Sequence, residues 1–117
     1  MKILVCGGRN LDSSEVQNIL DRDLVLYLSA PITRVIHGGA RGADTGGAQW
    51  GRANRIPVSE YKANWDVYGK SAGVRRNQQM IDEGKPDYVV AFPGGRGTAD
   101  MIRRAEQHNI PVIRLKI

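Results

Sequence analysis

The sequence predicts a three-layer α/β sandwich: a five-stranded parallel sheet in the order 3-2-1-4-5 with helices on both faces. Three observations predict it. Five short runs of apolar and β-branched residues alternate with segments of helical periodicity. Three of the five runs break directly into glycine-rich turns that open the next helix. No linker, low-complexity tract or second hydrophobic unit interrupts the 117 residues. One domain over residues 1–117 is therefore expected, long enough to bury roughly two thirds of its unfolded surface.

Lys2 to Cys6 is a short apolar strand that runs into Gly7-Gly8-Arg9-Asn10. Its unbroken hydrophobicity marks a central strand covered on both faces. Asp12 and Glu15 form a plausible capping pair, and Val16, Ile19, Leu20 and Leu24 recur at helical spacing toward Leu28 before Pro31. Thr33 to His37 is the second strand; after Gly38-Gly39-Ala40-Arg41-Gly42 a helix of small residues runs from Ala43-Asp44 through Trp50 to Asn54. Pro57 to Tyr61 is the third strand. A loop from Lys62 to Ser71 carries Trp65, Tyr68 and Lys70, and a helix from about Ala72 to Glu83 is stopped by Gly84 and Pro86. Tyr88 to Phe92 is the fourth strand, a helix covers Asp100 to His108, and Asn109 ends it before the fifth strand, Pro111 to Leu115.

Seventeen Lys and Arg against 12 Asp and Glu leave a formal net charge of +5, which suits an anionic partner. Small basic domains are often only soluble, so the placement of the arginines carries more information than their sum. The single cysteine, Cys6, sits within an apolar run and reads as a small buried residue; no Cys/His cluster is present to hold zinc. Neither a metal nor a cofactor is called for. Only four apolar residues follow Lys2 before Gly7, too few for a signal peptide, and no apolar run approaches the roughly 20 residues of a membrane span. A cytoplasmic protein without a membrane partner is expected.

The stretch Pro93-Gly94-Gly95-Arg96-Gly97-Thr98-Ala99-Asp100 is the most informative. Three glycines in four positions cost conformational entropy and bury nothing. A strand that ends in such a turn and opens a helix directs free N–H groups and the positive end of the helix dipole at one point, which suits phosphate. Thr98 is placed to cap the helix or bond a phosphate oxygen, and Arg96 to supply charge. The plainer alternative is a turn whose glycines only satisfy its dihedrals. The same spacing recurs at Gly38-Gly39…Ala43-Asp44. With the strand order above, the Gly7-Gly8 turn faces the Pro93–Thr98 loop across the crevice where strand order reverses, the usual ligand site of such sheets.

The run from Val35 to Asp44, the Arg76-Asn77 pair and the Pro93–Asp100 loop resemble the YspA/YpsA-related branch of the SLOG superfamily, and the resemblance spans nearly the whole chain. It implies a Rossmann-like fold and a small-molecule, nucleotide-derived ligand, ADP-ribose-like or a nucleoside phosphate. The superfamily also contains the Lonely Guy phosphoribohydrolases and the DNA-processing protein DprA. The implied ligand-binding residues are Gly7, Gly8 and Arg9; His37, Gly38, Gly39, Arg41, Gly42 and Asp44; Arg76 and Asn77; and Pro93, Gly94, Gly95, Arg96, Gly97 and Thr98. A homodimer or higher homo-oligomer is common among relatives.

Lonely Guy enzymes end this loop in Pro-Gly-Gly-x-Gly-Thr-x-x-Glu and pair that glutamate with the arginine of Arg-Lys-x-x-Met. Here the loop is kept through Thr98 and Arg76-Asn77-Gln78-Gln79-Met80 matches the second motif, but Met101 stands at the glutamate position. Methionine neither stabilises an oxocarbenium-like ribose nor activates water. Binding or sensing is therefore the first reading. The second is a nucleotide N-glycosidase with Asp44 or Asp100 as carboxylate and Arg76 as its partner. A nucleic-acid module comes third, because no aromatic-interleaved basic stripe is present. Trp65 and Tyr68 are candidates either for stacking on a base or for sealing a core or an interface.

Overall fold

The computed structural model describes residues 1–117. Its strands are β1 (Lys2–Cys6), β2 (Arg34–His37), β3 (Val58–Glu60), β4 (Tyr88–Ala91) and β5 (Val112–Arg114). They form one sheet in the order β3-β2-β1-β4-β5, every pair parallel. The Rossmann-like order expected from the sequence is the order found. The helices are α1 (Ser13–Asp23), α2 (Ala43–Ala53), α3 (Trp65–Tyr68), α4 (Ala72–Gln79) and α5 (Arg96–Gln107). None is long and apolar enough to cross a membrane.

Alternation along the strands divides the core into two layers. Ile3, Val5, Val35 and Val90 point to one face, where Val16, Ile19 and Leu20 of α1 and Ala43 and Trp50 of α2 meet them. Leu4, Cys6, Ile36, Val89 and Ala91 point to the other, against Met80, Ile81 and the α5 residues Met101 and Ala105. The small residues of α2 have a steric reason. A Cβ at Gly46 would stand 2.6 Å from Val16, and one at Gly47 would stand 2.7 Å from Val5, so bare backbone lets α2 lie directly on α1 and β1.

Asp12 caps α1 as its spacing predicts, accepting from the N–H of Ser14 at 2.8 Å and of Glu15 at 3.2 Å. That helix ends at Asp23, earlier than expected, and a tighter turn over Leu24–Leu26 follows, with Leu24 and Leu28 both buried. The segment expected to be a plain loop holds α3, capped by the Asn64 side chain on the N–H of Val67 at 3.2 Å. Helix α4 widens into a π turn over Met80–Gly84, and Lys85 closes it at φ +49°. Helix α5 starts at Arg96 rather than at Asp100. That four-residue difference matters for the site.

Candidate ligand cleft at the carboxyl end of the sheet

The β1–α1, β2–α2 and β4–α5 loops meet above the carboxyl ends of β1, β2 and β4, and backbone hydrogen bonds pin them together. Gly8 N–H donates to Pro93 O at 2.8 Å, and Gly8 O accepts from Ala43 N–H at 3.2 Å. The first turn is thus the keystone between the other two. Its glycine neighbours are required by these close passes: Gly42 has φ +75° and its missing Cβ would lie within 2.8 to 2.9 Å of the Arg9 backbone.

A cleft of about 520 Å³ opens between the first and third turns. Its volume lies in the range of small-molecule sites. Gly7, Gly8, Arg9 and Asp44 line one side of it, Arg76 and Asn77 another, and Gly94, Gly95, Arg96, Gly97 and Thr98 a third. A second bay of about 320 Å³ adjoins it through shared walls at Arg9, Ala40 and Arg76 and takes in Gly38, Gly39 and Arg41. Met80 and Met101, which the motifs had singled out, line the cleft together with Cys6, which sequence reasoning took for core alone, as it missed Lys62 and Ala63 in the bay. Cys6 belongs to a strand whose apolar run reads only as core. Burial, with the Asp44 charge adding to it, pushes the Cys6 thiol up, so that it stays protonated.

The two loops that look alike in sequence are built differently. In the second, Asp44 Oδ2 accepts from Gly38 N–H at 2.7 Å and from Ala40 N–H at 3.5 Å, while His37 Nδ1 accepts from Gly39 N–H at 3.0 Å. That loop consumes its own donors. In the third, the first helical bond runs from Ala99 N–H to Gly95 O, and no side chain caps the helix. The N–H groups of Arg96, Gly97 and Thr98 therefore have no partner within the helix. All three residues line the main cleft, at the positive end of α5.

The glycines of the third loop divide in the same way. Gly94 is structural, since a Cβ there would press on the Thr98 side chain and sit 2.9 Å from Gly8 N. At Gly95 and Gly97 a Cβ would meet nothing within 4 Å. Gly95 has φ −95°, outside the left-handed region. A left-handed φ is therefore not what glycine supplies at these two positions; open space is.

Arg76 reaches across from α4. Its Nη1 donates to Gly38 O and its Nε to Asn77 Oδ1 at 3.2 Å. A Cβ at Gly38 would lie 2.6 Å from Cζ and 2.9 Å from Nε, so Gly38 is the seat of the guanidinium. Burial lowers the Arg76 pKa, the Asp44 charge opposes that shift, and Arg9 reinforces it. The group remains a cation, as arginine does in proteins. Burial raises the Asp44 pKa, against the Gly38 hydrogen bond and the Arg76 charge. Its Oδ1 accepts no hydrogen bond in the structure, whereas Oδ2 holds the loop.

Asp100 lies elsewhere. It is 7% exposed, lines neither cleft, and accepts from Asn77 at 3.0 Å, Arg104 at 2.8 Å and Arg103 at 2.5 Å. Asn77 also donates to Gly97 O at 3.2 Å. The series Gly38–Arg76–Asn77–Asp100–Arg104 ties the second loop to α5 through α4. His37 is likewise buried behind the loop, its Nε2 3.9 Å from Glu60 Oε1 and without a hydrogen-bond partner. Burial lowers its pKa, so the ring is neutral and the proton sits on Nε2. Gly42 and Pro93 shape the turns without lining either cleft.

Burial alone raises the Asp100 pKa, but the bonds from Arg104 and Asn77 and both guanidinium charges outweigh it, leaving the net shift downward. A carboxylate so depressed contributes stability at pH values above its ordinary 3.8, and that contribution is lost as pH falls below it. Asp100→Ala is expected to cost about 2 to 3 kcal/mol near neutral pH, with the difference from the parent shrinking below pH 3.8. Urea denaturation across that range checks it. A pH-independent difference would show that the charge is not what holds α4 to α5.

A five-stranded parallel sheet of this order, with an uncapped helix N-terminus and two arginines, Arg9 and Arg76, beside its switch point, defines a Rossmann-like α/β domain. The model of the YspA, cpYpsA-related SLOG family matches residues 1–68, and the chain belongs to that family. It is 42% identical over 86 residues to the "Gene 61 protein" of Mycobacterium phage D29, a match that covers 68% of each chain. No solved structure matches. Membership carries a nucleotide-related function in general terms, as the resemblance of the loops implied.

Proposed function

We propose that the main cleft binds a nucleotide-derived ligand, ADP-ribose-like or a nucleoside phosphate, and that binding or sensing rather than turnover is its task. One observation carries the reading: Gly95 and Gly97 keep side chains out of open space in front of the free N–H groups of α5. At Gly97, inside α5, a fold alone has no use for that, because a glycine within a helix costs roughly 1 kcal/mol relative to alanine. Phosphate would sit on those N–H groups with Thr98, and Arg9, Arg76 and Arg96 would balance its charge.

Calorimetry with ADP-ribose, ADP and AMP tests the reading, and Arg76→Ala is expected to weaken binding by about 1.5 to 3 kcal/mol. Unchanged affinity in a folded variant would exclude Arg76 from the site.

Hydrolysis of a nucleotide N-glycosidic bond is the second reading. It is favoured by Asp44, whose free Oδ1 belongs to a carboxylate on the cleft wall with a raised pKa. The motif opposes it: Met101, 1% exposed and lining the cleft, stands in the sequence where the Lonely Guy motif has its glutamate. Release of free base is expected to be weak or absent. Turnover of order 1 per second, ordinary for an enzyme, would reverse the ranking. Its loss in Asp44→Asn but not in Asp100→Asn would then assign the carboxylate. A nucleic-acid partner is the least supported, since the arginines converge on a cleft instead of lining one exposed helix face.

A further inference from the structure

The bay beside the main cleft has a composition of its own. Arg9, Arg41, Lys62 and Arg76 line it together with Trp65, and no carboxylate does. Two acids stand close behind its walls: Glu60 lies 3.5 Å from Lys62, and Asp44 accepts from Gly38 N–H at 2.7 Å. Trp65 is 51% exposed, a large apolar surface to leave in water beside four cations. The neighbouring aromatic, Tyr68, is differently placed: the Arg75 guanidinium covers its ring at 4.5 Å from the centroid, and it lines not the bay but a further cleft on the other side of Lys62 and Arg76. Trp65 is therefore the aromatic that the bay presents. Arg9 and Arg76 stand on the boundary, common to both clefts.

We infer that the bay is the base-side subsite of an extended ligand. The aromatic base of a nucleoside diphosphate stacks on Trp65, and its diphosphate crosses the boundary on Arg9 and Arg76 toward the α5 N-terminus. Arg41 and Lys62 add positive charge along the base end. This rests on the anion-cleft reading above and extends it: the ligand carries a diphosphate and an aromatic base, and a nucleoside monophosphate is too short to use both ends. Stacking on an aromatic ring tolerates any base, so the platform selects for a base without naming it.

The chain supplies its own reporter. Of its two tryptophans, Trp50 is 8% exposed and donates to Asp21 at 2.7 Å, within the core layer on the other face of the sheet. Only Trp65 is open to a stacking partner.

Fluorescence and calorimetric titrations with ADP, GDP and UDP, and with pyrophosphate as the base-free control, test the inference. A nucleoside diphosphate is expected to quench the emission of the parent protein, while pyrophosphate binds without quenching. Trp65→Ala should weaken that nucleotide about tenfold and leave pyrophosphate unchanged, and Trp65→Phe should restore affinity without the signal. If pyrophosphate binds and Trp65→Ala binds every nucleotide as the parent does, the subsite is wrong and the anion cleft stands. If neither pyrophosphate nor any nucleotide binds, the anion cleft fails, and the subsite with it. If sedimentation shows Trp65→Ala losing affinity only by dissociating an oligomer, Trp65 is an interface residue and the inference is overturned.

Discussion

Gly42→Ala is expected to lower the free energy of unfolding by about 3 kcal/mol or more, combining left-handed strain with a steric clash. Gly42 holds φ +75° one residue before α2, and its Cβ would press on the carbonyl oxygen of Gly8 and stand 2.8 Å from Arg9 C. These are backbone atoms of the keystone turn, whose Gly8 is bonded both to Pro93 and to Ala43. No rotamer change relieves the clash, so the turn itself must move. Gly69 is the internal comparison, with φ +54° and nothing within 4 Å of its missing Cβ. Gly69→Ala should cost only the strain, about 1 to 2 kcal/mol. Urea denaturation of both variants measures the difference. Equal losses would mean that the clash at Gly42 is absorbed and that the three turns are not rigidly joined.

Gly95→Val is expected to weaken binding of ADP or pyrophosphate at least 100-fold while shifting stability by less than about 1 kcal/mol. A Cβ there would meet nothing within 4 Å, so the branched side chain would enter the open space before the free N–H groups of α5. Gly97→Ala sharpens the contrast, because it should raise stability by up to about 1 kcal/mol through helix propensity and still weaken the anion. Stability and affinity then move in opposite directions in one variant. A loop that exists only for its turn geometry gives the reverse result, with Gly95→Val melting early and its folded fraction binding like the parent. Thermal unfolding and calorimetry on the same preparations decide between them.

Much of the fold is local information. Short apolar runs between helical runs, Asp12 as a cap and the end of α5 at Asn109, left-handed at φ +58°, are all legible residue by residue. The loop Lys62–Ser71 was less so, because α3 is a single turn held by one Asn64 cap and its apolar residues remain exposed. The early start of α5 was also hidden: glycines at Gly95 and Gly97 argue against a helix by propensity, and the free N–H groups beside the cleft are the consequence of starting it there.

By itself the sequence determined the strand and helix layout, the strand order and the three turns around which a site is built, since periodicity and glycine placement act over a few residues. The tertiary structure decided which turn does which task. Two loops with the same spacing of Gly-Gly and Ala-Asp part company because their aspartates meet different neighbours. Asp44 has its own loop's N–H groups within reach and turns back to consume them, leaving one oxygen toward the cleft. Asp100 is drawn away by Asn77 and Arg104, which α4 and α5 bring beside it, and so leaves the N–H groups of its own loop unpartnered. A buried carboxylate takes the strongest donors that packing offers it. Which donors those are depends on residues 23 positions apart in the chain.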